Sequence, residues 1–169
     1  MLENWRKYIS EIEKRASLGD SRVDVDWAAD KANEINSDKF DYQGIQLQLA
    51  KSEGQTKLIA YLENQPVGYM GLDDFKNGVK VGTLSVKLEF EGKGIASRMY
   101  DYIIQNYNLY SGDSQTPKAQ KIWNKLRKKY PATKTVNVET GEEVTDPNTI
   151  YTKEGDPPNN IYLFIPRGG

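Results

Sequence analysis

The stretch EFEGKGIASRMYDYII, residues 89–104, joins an apolar alternation to a helical one, and the turn in its middle decides how the chain is read. Upstream, VKVGTLSVKLEF (residues 79–90) places Leu84, Val86, Leu88 and Phe90 on one side of a strand and Thr83, Ser85, Lys87 and Glu89 on the other. The first set is expected to face the core. The second, polar for a central strand, is expected to line a cleft. Downstream, Ile95, Met99, Tyr102 and Ile103 recur at helical spacing, so a helix should begin near Gly94. Strand, glycine turn and helix in that order bring free backbone N–H groups and the positive end of a helix dipole to one point, where glycines let an anion approach closely. The turn is not a Walker loop, since no Gly-Lys-Ser or Gly-Lys-Thr follows. Nor is it a dinucleotide fingerprint, because the third glycine is absent and the strands before it form a meander. A plain glycine-rich corner is the competing reading.

Working outward, the period before this stretch is two. IQLQLA alternates Ile45, Leu47 and Leu49 against Gln46 and Gln48; KSEGQ is a turn and KLIAYLE a second strand. NQPVGYMGL follows as a further strand after a tight turn at Asn64 to Pro66, and DDFKNG makes another hairpin corner. On the other side, a short strand is expected near LYSGD (residues 109–113) and a helix over PKAQKIWNKLRKKY (residues 117–130). That helix carries Ala119, Ile122, Trp123, Leu126 and Tyr130 on one stripe. Lys118, Lys121, Lys125, Arg127, Lys128 and Lys129 fall opposite, as the solvated face of an amphipathic helix. TKTVNVETGEEV and NNIYLFIP read as strands flanking a polar loop.

Residues 1–40 read as a helical extension and 41–169 as the principal domain. Leu2, Trp5, Ile9, Ile12 and Ala16 share one helix face; a second helix is expected over WAADKANEIN, capped by Asp24 or Asp26, with Trp27, Ala28, Lys31, Ala32 and Ile35 on its semi-apolar side.

Composition bounds the chemistry. Among 169 residues there is no cysteine and no histidine, so thiolate nucleophiles, disulfides, cysteine zinc sites and imidazole bases are excluded, and no metal site is expected. Lys plus Arg number 23 against 24 Asp plus Glu, a balance that selects neither nucleic acid nor an acidic membrane as partner. Few aromatics interleave with the basic helix, which argues against a single-strand stacking platform. No window approaches the roughly 18 apolar residues of a spanning helix. A soluble, cytoplasmic protein with no membrane contact is expected.

Taken with its flanks, LSVKLEFEGKGIASRMYDYI resembles the coenzyme-binding motif of the GNAT superfamily of N-acetyltransferases. The family writes the turn as Gln or Arg, two residues, Gly, one residue, then Gly or Ala; Gly94 and Ala96 match, while Glu91 stands where the family has Gln or Arg. The resemblance covers about residues 43–130. It implies an α/β (α+β) fold with a mixed, mostly antiparallel central sheet flanked by helices, here with the N-terminal helical addition. The family's helix pair between its first two strands has no room in KSEGQ.

The resemblance further implies acetyl-CoA as co-substrate and an amine acceptor, small molecule or protein. The pyrophosphate would lie on Glu91, Gly92, Lys93, Gly94, Ile95 and Ala96, with a hydroxyl from Ser97 and a further contact at Thr116. The pantetheine arm would pair with the backbone of Leu84, Ser85 and Val86. Near Val86, a backbone N–H would polarise the thioester carbonyl. The family's acid tyrosine is replaced by Trp123, so Tyr110, Ser111 or a water held by Asp113 is left to protonate the thiolate. Glu89, acting through water, is the candidate base. The alternative is a module that keeps the fold as a binding or structural unit and has lost catalysis, as Trp123 and Glu91 would record. Neither the acceptor nor the oligomeric state is written in the sequence.

Overall fold

The computed structural model describes residues 22–35, 37–112, 117–144 and 161–169. The elements are α1 (Arg22–Glu34), β1 (Lys39–Tyr42), β2 (Ile45–Ser52), β3 (Gln55–Leu62), β4 (Gln65–Phe75), β5 (Gly78–Val86), a 3-10 turn (Leu88–Phe90), α2 (Ile95–Asn106), β6 (Leu109–Tyr110), α3 (Pro117–Lys129), β7 (Lys134–Asn137) and β8 (Ile161–Ile165). The strands form one eight-stranded sheet in the order β1-β2-β3-β4-β5-β6-β8-β7. β5 and β6 are parallel, whereas the β1/β2, β2/β3, β6/β8 and β7/β8 pairs are antiparallel. This is the mixed, mostly antiparallel α/β fold expected. The helix expected around Trp5, Asp113, Thr116 and the polar loop over 145–160 lie outside the described residues.

Tight turns set the register of the first five strands. Each successive pair from β1 to β5 is joined by two residues, a length that forces antiparallel neighbours. Gln43 and Glu63 with Asn64 adopt positive φ (48°, 49° and 64°), the backbone twist that matches right-handed strands. β1 was not anticipated. Its signal is the Gln43-Gly44 dipeptide after the alternating Phe40 and Tyr42, short enough to pass for a loop.

The described residues group into two compact units. The first comprises those up to Gly71 together with Thr83–Met99. Here α1 lays Ala28, Ala29 and Ala32 against Ala50, Ile59 and Tyr61, with Tyr69 partly buried beside them. Small side chains let the helix approach the sheet closely. Asp24 and Asp26 lie inside this helix rather than capping it, and the buried stripe runs Val25, Ala28, Ala29, Ala32. Trp27 and Ile35, expected on the apolar side, are 51% and 44% exposed. On the opposite face of the same strands, a Cβ placed on Gly68 of β4 would lie 3.1 Å from both Ile95 Cγ2 and Met99 Sδ. The absence of a side chain there lets the first turn of α2 settle onto the sheet.

The second unit comprises the described residues of Leu72–Gly82 and Tyr100–Gly169. β6 pairs Leu109 with Val79 and Tyr110 with Lys80, and β8 lies between β6 and β7. Tyr110 packs between Phe75 and Phe164, with ring centroids 5.1 and 4.9 Å away. α3 buries Trp123 and Leu126, and Tyr130, just past its end, is buried with them as the stripe predicts; the Tyr130 hydroxyl donates to Asp101 Oδ1.

Candidate active site

β5 does not keep one register along its length. Counting back from the turn at Lys76–Asn77 sets Val67 opposite Val86, yet it is the Lys87 amide that donates to the Val67 carbonyl, at 2.9 Å. One extra residue has therefore entered β5, a β-bulge. Consecutive amides of a strand point to opposite edges, so with Lys87 bonded to β4 the Val86 and Leu84 amides face the other edge. β6 is two residues long and supplies partners only to Val79 and Lys80. The last residues of β5 thus offer outward-facing amides beyond the reach of that pairing.

The bulge also corrects the expected faces. Ser85 and Lys87 are buried at 5% and 3% exposure, Leu84 and Val86 are half-buried, and Leu88 is exposed. An unbroken period of two through Phe90 cannot survive an inserted residue. The strand ends at Val86, and Leu88, Glu89 and Phe90 form the 3-10 turn with Glu89 exposed on it, not on a strand face.

Beyond that turn the Glu91 amide donates to the Leu88 carbonyl at 3.2 Å, which removes it from the set of amides expected to meet a phosphate. Gly92 and Gly94 have φ of 75° and 76°, a region costly for any residue with a Cβ. Open space lies where either Cβ would be. The Arg98 amide donates to the Gly94 carbonyl, closing the first bond of α2, so Ile95, Ala96 and Ser97 are the amides that helix geometry leaves without intrahelical partners. Ile95 is buried as the anchor over Gly68, Ala96 is half-buried, and Ser97 is exposed. Lys93 is exposed, its ammonium 5.3 Å from the Phe90 ring centroid. The exposed backbone bend, the positive helix end and a lysine together suit an anionic ligand.

Lys87, read from the sequence on the polar, cleft-facing side of the strand, is the unanticipated member of this unit. Its ammonium is 2.7 Å from Asp26 Oδ1 of α1, with side-chain exposures of 4% and 51%. Nothing in a single sequence marks a lysine as buried.

The remaining candidates belong to the second unit. The Tyr110 hydroxyl donates to Asn77 Oδ1 at 2.6 Å, at the turn that opens β5, whereas Leu84–Val86 close that strand. Burial raises the Tyr110 pKa above its ordinary value, making it a weaker acid. Ser111 is fully buried: its amide donates to the Leu163 carbonyl and its hydroxyl accepts the Leu163 amide at 3.0 Å, adding a rung to the β6/β8 ladder. Trp123 is 1% exposed, and Thr116 lies outside the described residues. On the basic helix, Arg127 Nη2 is buried with no hydrogen-bond partner among the described residues. Among those residues no group of three or more carboxylates is placed to hold a metal ion, and no helix is long and apolar enough to cross a membrane.

Solved structures that the chain matches include a GNAT-family protein from Bacteroides thetaiotaomicron, at 14% identity over 69% of this chain and 63% of that one, TM-score 0.44. An acetyltransferase from Thermus thermophilus is 13% identical over 65% of this chain and 62% of that one, TM-score 0.42. A GNAT-family acetyltransferase from Elizabethkingia anophelis with acetyl-CoA bound is 14% identical over 67% of this chain and 75% of that one, TM-score 0.39. The chain spans less than two thirds of the length of the first two. No curated protein matched. The family model described as Acetyltransferase (GNAT) family matches residues 23–109, just over half of the chain, from α1 through β5, the glycine turn and α2 to the start of β6, and the chain belongs to that family.

Proposed function

We propose that the chain is an acetyl-CoA-dependent N-acetyltransferase that passes the acetyl group from the thioester to an amine of a small molecule or a protein. The observation that carries this reading is the turn ahead of α2, where Gly92 and Gly94 hold positive φ under open space and the amides of Ile95 to Ser97 stand at the helix end. Those amides would hold the pyrophosphate, with Ser97 adding a hydroxyl. The outward amides of Leu84 and Val86 suit strand-like pairing with the pantetheine arm, and the Val86 N–H is aimed to polarise the thioester carbonyl as the amine attacks. The amine loses a proton and the sulfur leaves as thiolate. Since a thiol pKa lies near 8.5, solvent alone can reprotonate it. Glu89, exposed beside the turn, is the base we assign, acting through water.

A second reading, a binding or structural module without catalysis, is favoured by the Tyr110 and Ser111 hydroxyls both being engaged and by Trp123 being buried. Titration calorimetry with acetyl-CoA and with CoA separates the readings from an unrelated role: binding at about micromolar strength is expected. Absence of binding by either ligand overturns both the enzyme and the coenzyme turn. An amine panel then distinguishes turnover from binding alone.

A further inference from the structure

Lys87 stands at a junction. Its amide holds the shifted register of β5 through the Val67 carbonyl, its own carbonyl accepts the Phe90 amide at 2.9 Å and so begins the 3-10 turn, and its buried ammonium reaches Asp26 on α1. Four elements, β4, β5, the turn and α1, thus converge on one residue through the parts of them that lie in the first unit. Removing the Asp26 carboxylate leaves the buried Lys87 ammonium without that counter-charge, whereas Asp26, half exposed, stays solvated when Lys87 is replaced; an ion pair with one partner buried is a weak stabiliser in comparison with apolar packing. What an ion pair with a short, directed contact adds is a single geometry.

We infer that the Asp26–Lys87 pair is a positioning device that locks the bulged register of β5 and thereby aims the Val86 amide. The assignment rests on the coenzyme reading for its consequence in binding, but the register itself is measurable without any ligand. Asp26 and Lys87 act through the backbone and are positioning residues. A Met at position 87 keeps the aliphatic stem and the backbone bond to Val67 while discarding the charge, and an Asn at position 26 keeps the size of the carboxylate. The register is then held by one weaker constraint.

The test is residue-resolved amide hydrogen exchange on the full chain for Asp26→Asn, Lys87→Met and the double variant, with acetyl-CoA and CoA titrations alongside. Exchange at Lys87 and Phe90, whose amides are bonded in the parent, is expected to rise about tenfold or more relative to the β2–β3 hairpin in all three variants. In the double variant, which holds no unpaired buried charge, the melting temperature is expected to return toward that of the parent while exchange stays fast. The preference for acetyl-CoA over CoA, which reports the contact to the acetyl carbonyl, should shrink in the same variants with little change in CoA affinity. Exchange unchanged in the single variants, or restored together with stability in the double variant, overturns the inference. If the parent binds neither ligand the coenzyme reading fails, and the exchange rates still decide whether the pair holds the register.

Discussion

Trp123 of α3 meets Tyr100 of α2 edge to face, with ring centroids 6.2 Å apart and planes inclined at 78°. Both rings are almost wholly buried, at 1% and 2% exposure. The position where the family resemblance leads one to expect an acid tyrosine is thus filled by a core side chain. Trp123→Ala is expected to cost about 3–5 kcal/mol, the range for truncating a buried aromatic. Urea denaturation of the two proteins checks it; an unchanged midpoint would mean that the indole is not packed as described.

Gly94 and Gly68 serve the same turn in opposite ways, and alanine separates them. At Gly94 the added Cβ meets open space but must adopt φ of 76°, a strain of about 1–2 kcal/mol. At Gly68 the backbone is ordinary, but the Cβ presses on Ile95 and Met99 at 3.1 Å. Gly94→Ala should therefore weaken coenzyme binding more than it lowers the melting temperature, and the larger Gly94→Val should abolish binding in a folded protein. Gly68→Ala should do the reverse, lowering the melting temperature first. Calorimetry on both variants reads the contrast.

The difference between these two glycines also shows what the sequence could and could not carry. Turn dipeptides and alternating Ile, Leu and Val announced the meander, and the four-residue recurrence after Gly94 announced α2, because each depends on neighbours a few residues apart. The bulge in β5 does not. It is fixed by which carbonyl of β4 the Lys87 amide finds, a relation twenty residues long, and Leu88 and Phe90 imitate its continuation. The same holds for α1, where spacing puts Trp27 on the semi-apolar side but the sheet selects the alanine stripe. Tyr110 and Ser111 were legible as residues at the end of β6. Their occupation by Asn77 and Leu163 belongs to tertiary pairing and could not be read from spacing.

Glu91 places a carboxylate beside the turn and is exposed. At about 8 Å in water a unit charge costs an anionic ligand on the order of 0.5 kcal/mol. Glu91→Gln is accordingly expected to tighten acetyl-CoA about twofold at low salt, with the gain vanishing as ionic strength rises. Weaker binding by the variant would assign the carboxylate a supporting role instead.

A polar chain, buried at its Tyr61–Gln48 link, ties α1 to the sheet. The Tyr61 hydroxyl donates to Gln48 Oε1 at 2.6 Å, and Gln48 Nε2 donates to Asn33 Oδ1 at 3.2 Å and to the Ser37 carbonyl at 2.8 Å. Gln48 was expected on the polar side of its strand, yet it is 1% exposed. Gln48→Leu matches its volume but strands the hydroxyl and the carbonyl, at about 1–3 kcal/mol for each group that no water reaches. A loss of at least that size in urea midpoint is expected, and a neutral result would mean that water replaces the amide.

Three buried tyrosines set the alkaline limit of the fold. Burial raises the pKa of Tyr100 and of Tyr110, and Tyr61 is raised by burial and by the charge of Asp30. In each case the folded chain holds a proton that the unfolded chain releases near pH 10. The sign follows from linkage: these groups contribute their full stability below about pH 10, and it is lost as pH rises through their higher folded values. The urea midpoint should therefore be flat with respect to these groups at neutral pH and fall steeply above about pH 10. Tyr100→Phe, which keeps the ring against Trp123, should flatten that fall without lowering stability near neutrality. An identical alkaline slope in the variant would show that the Tyr100 hydroxyl ionises as freely in the folded chain as in the unfolded one.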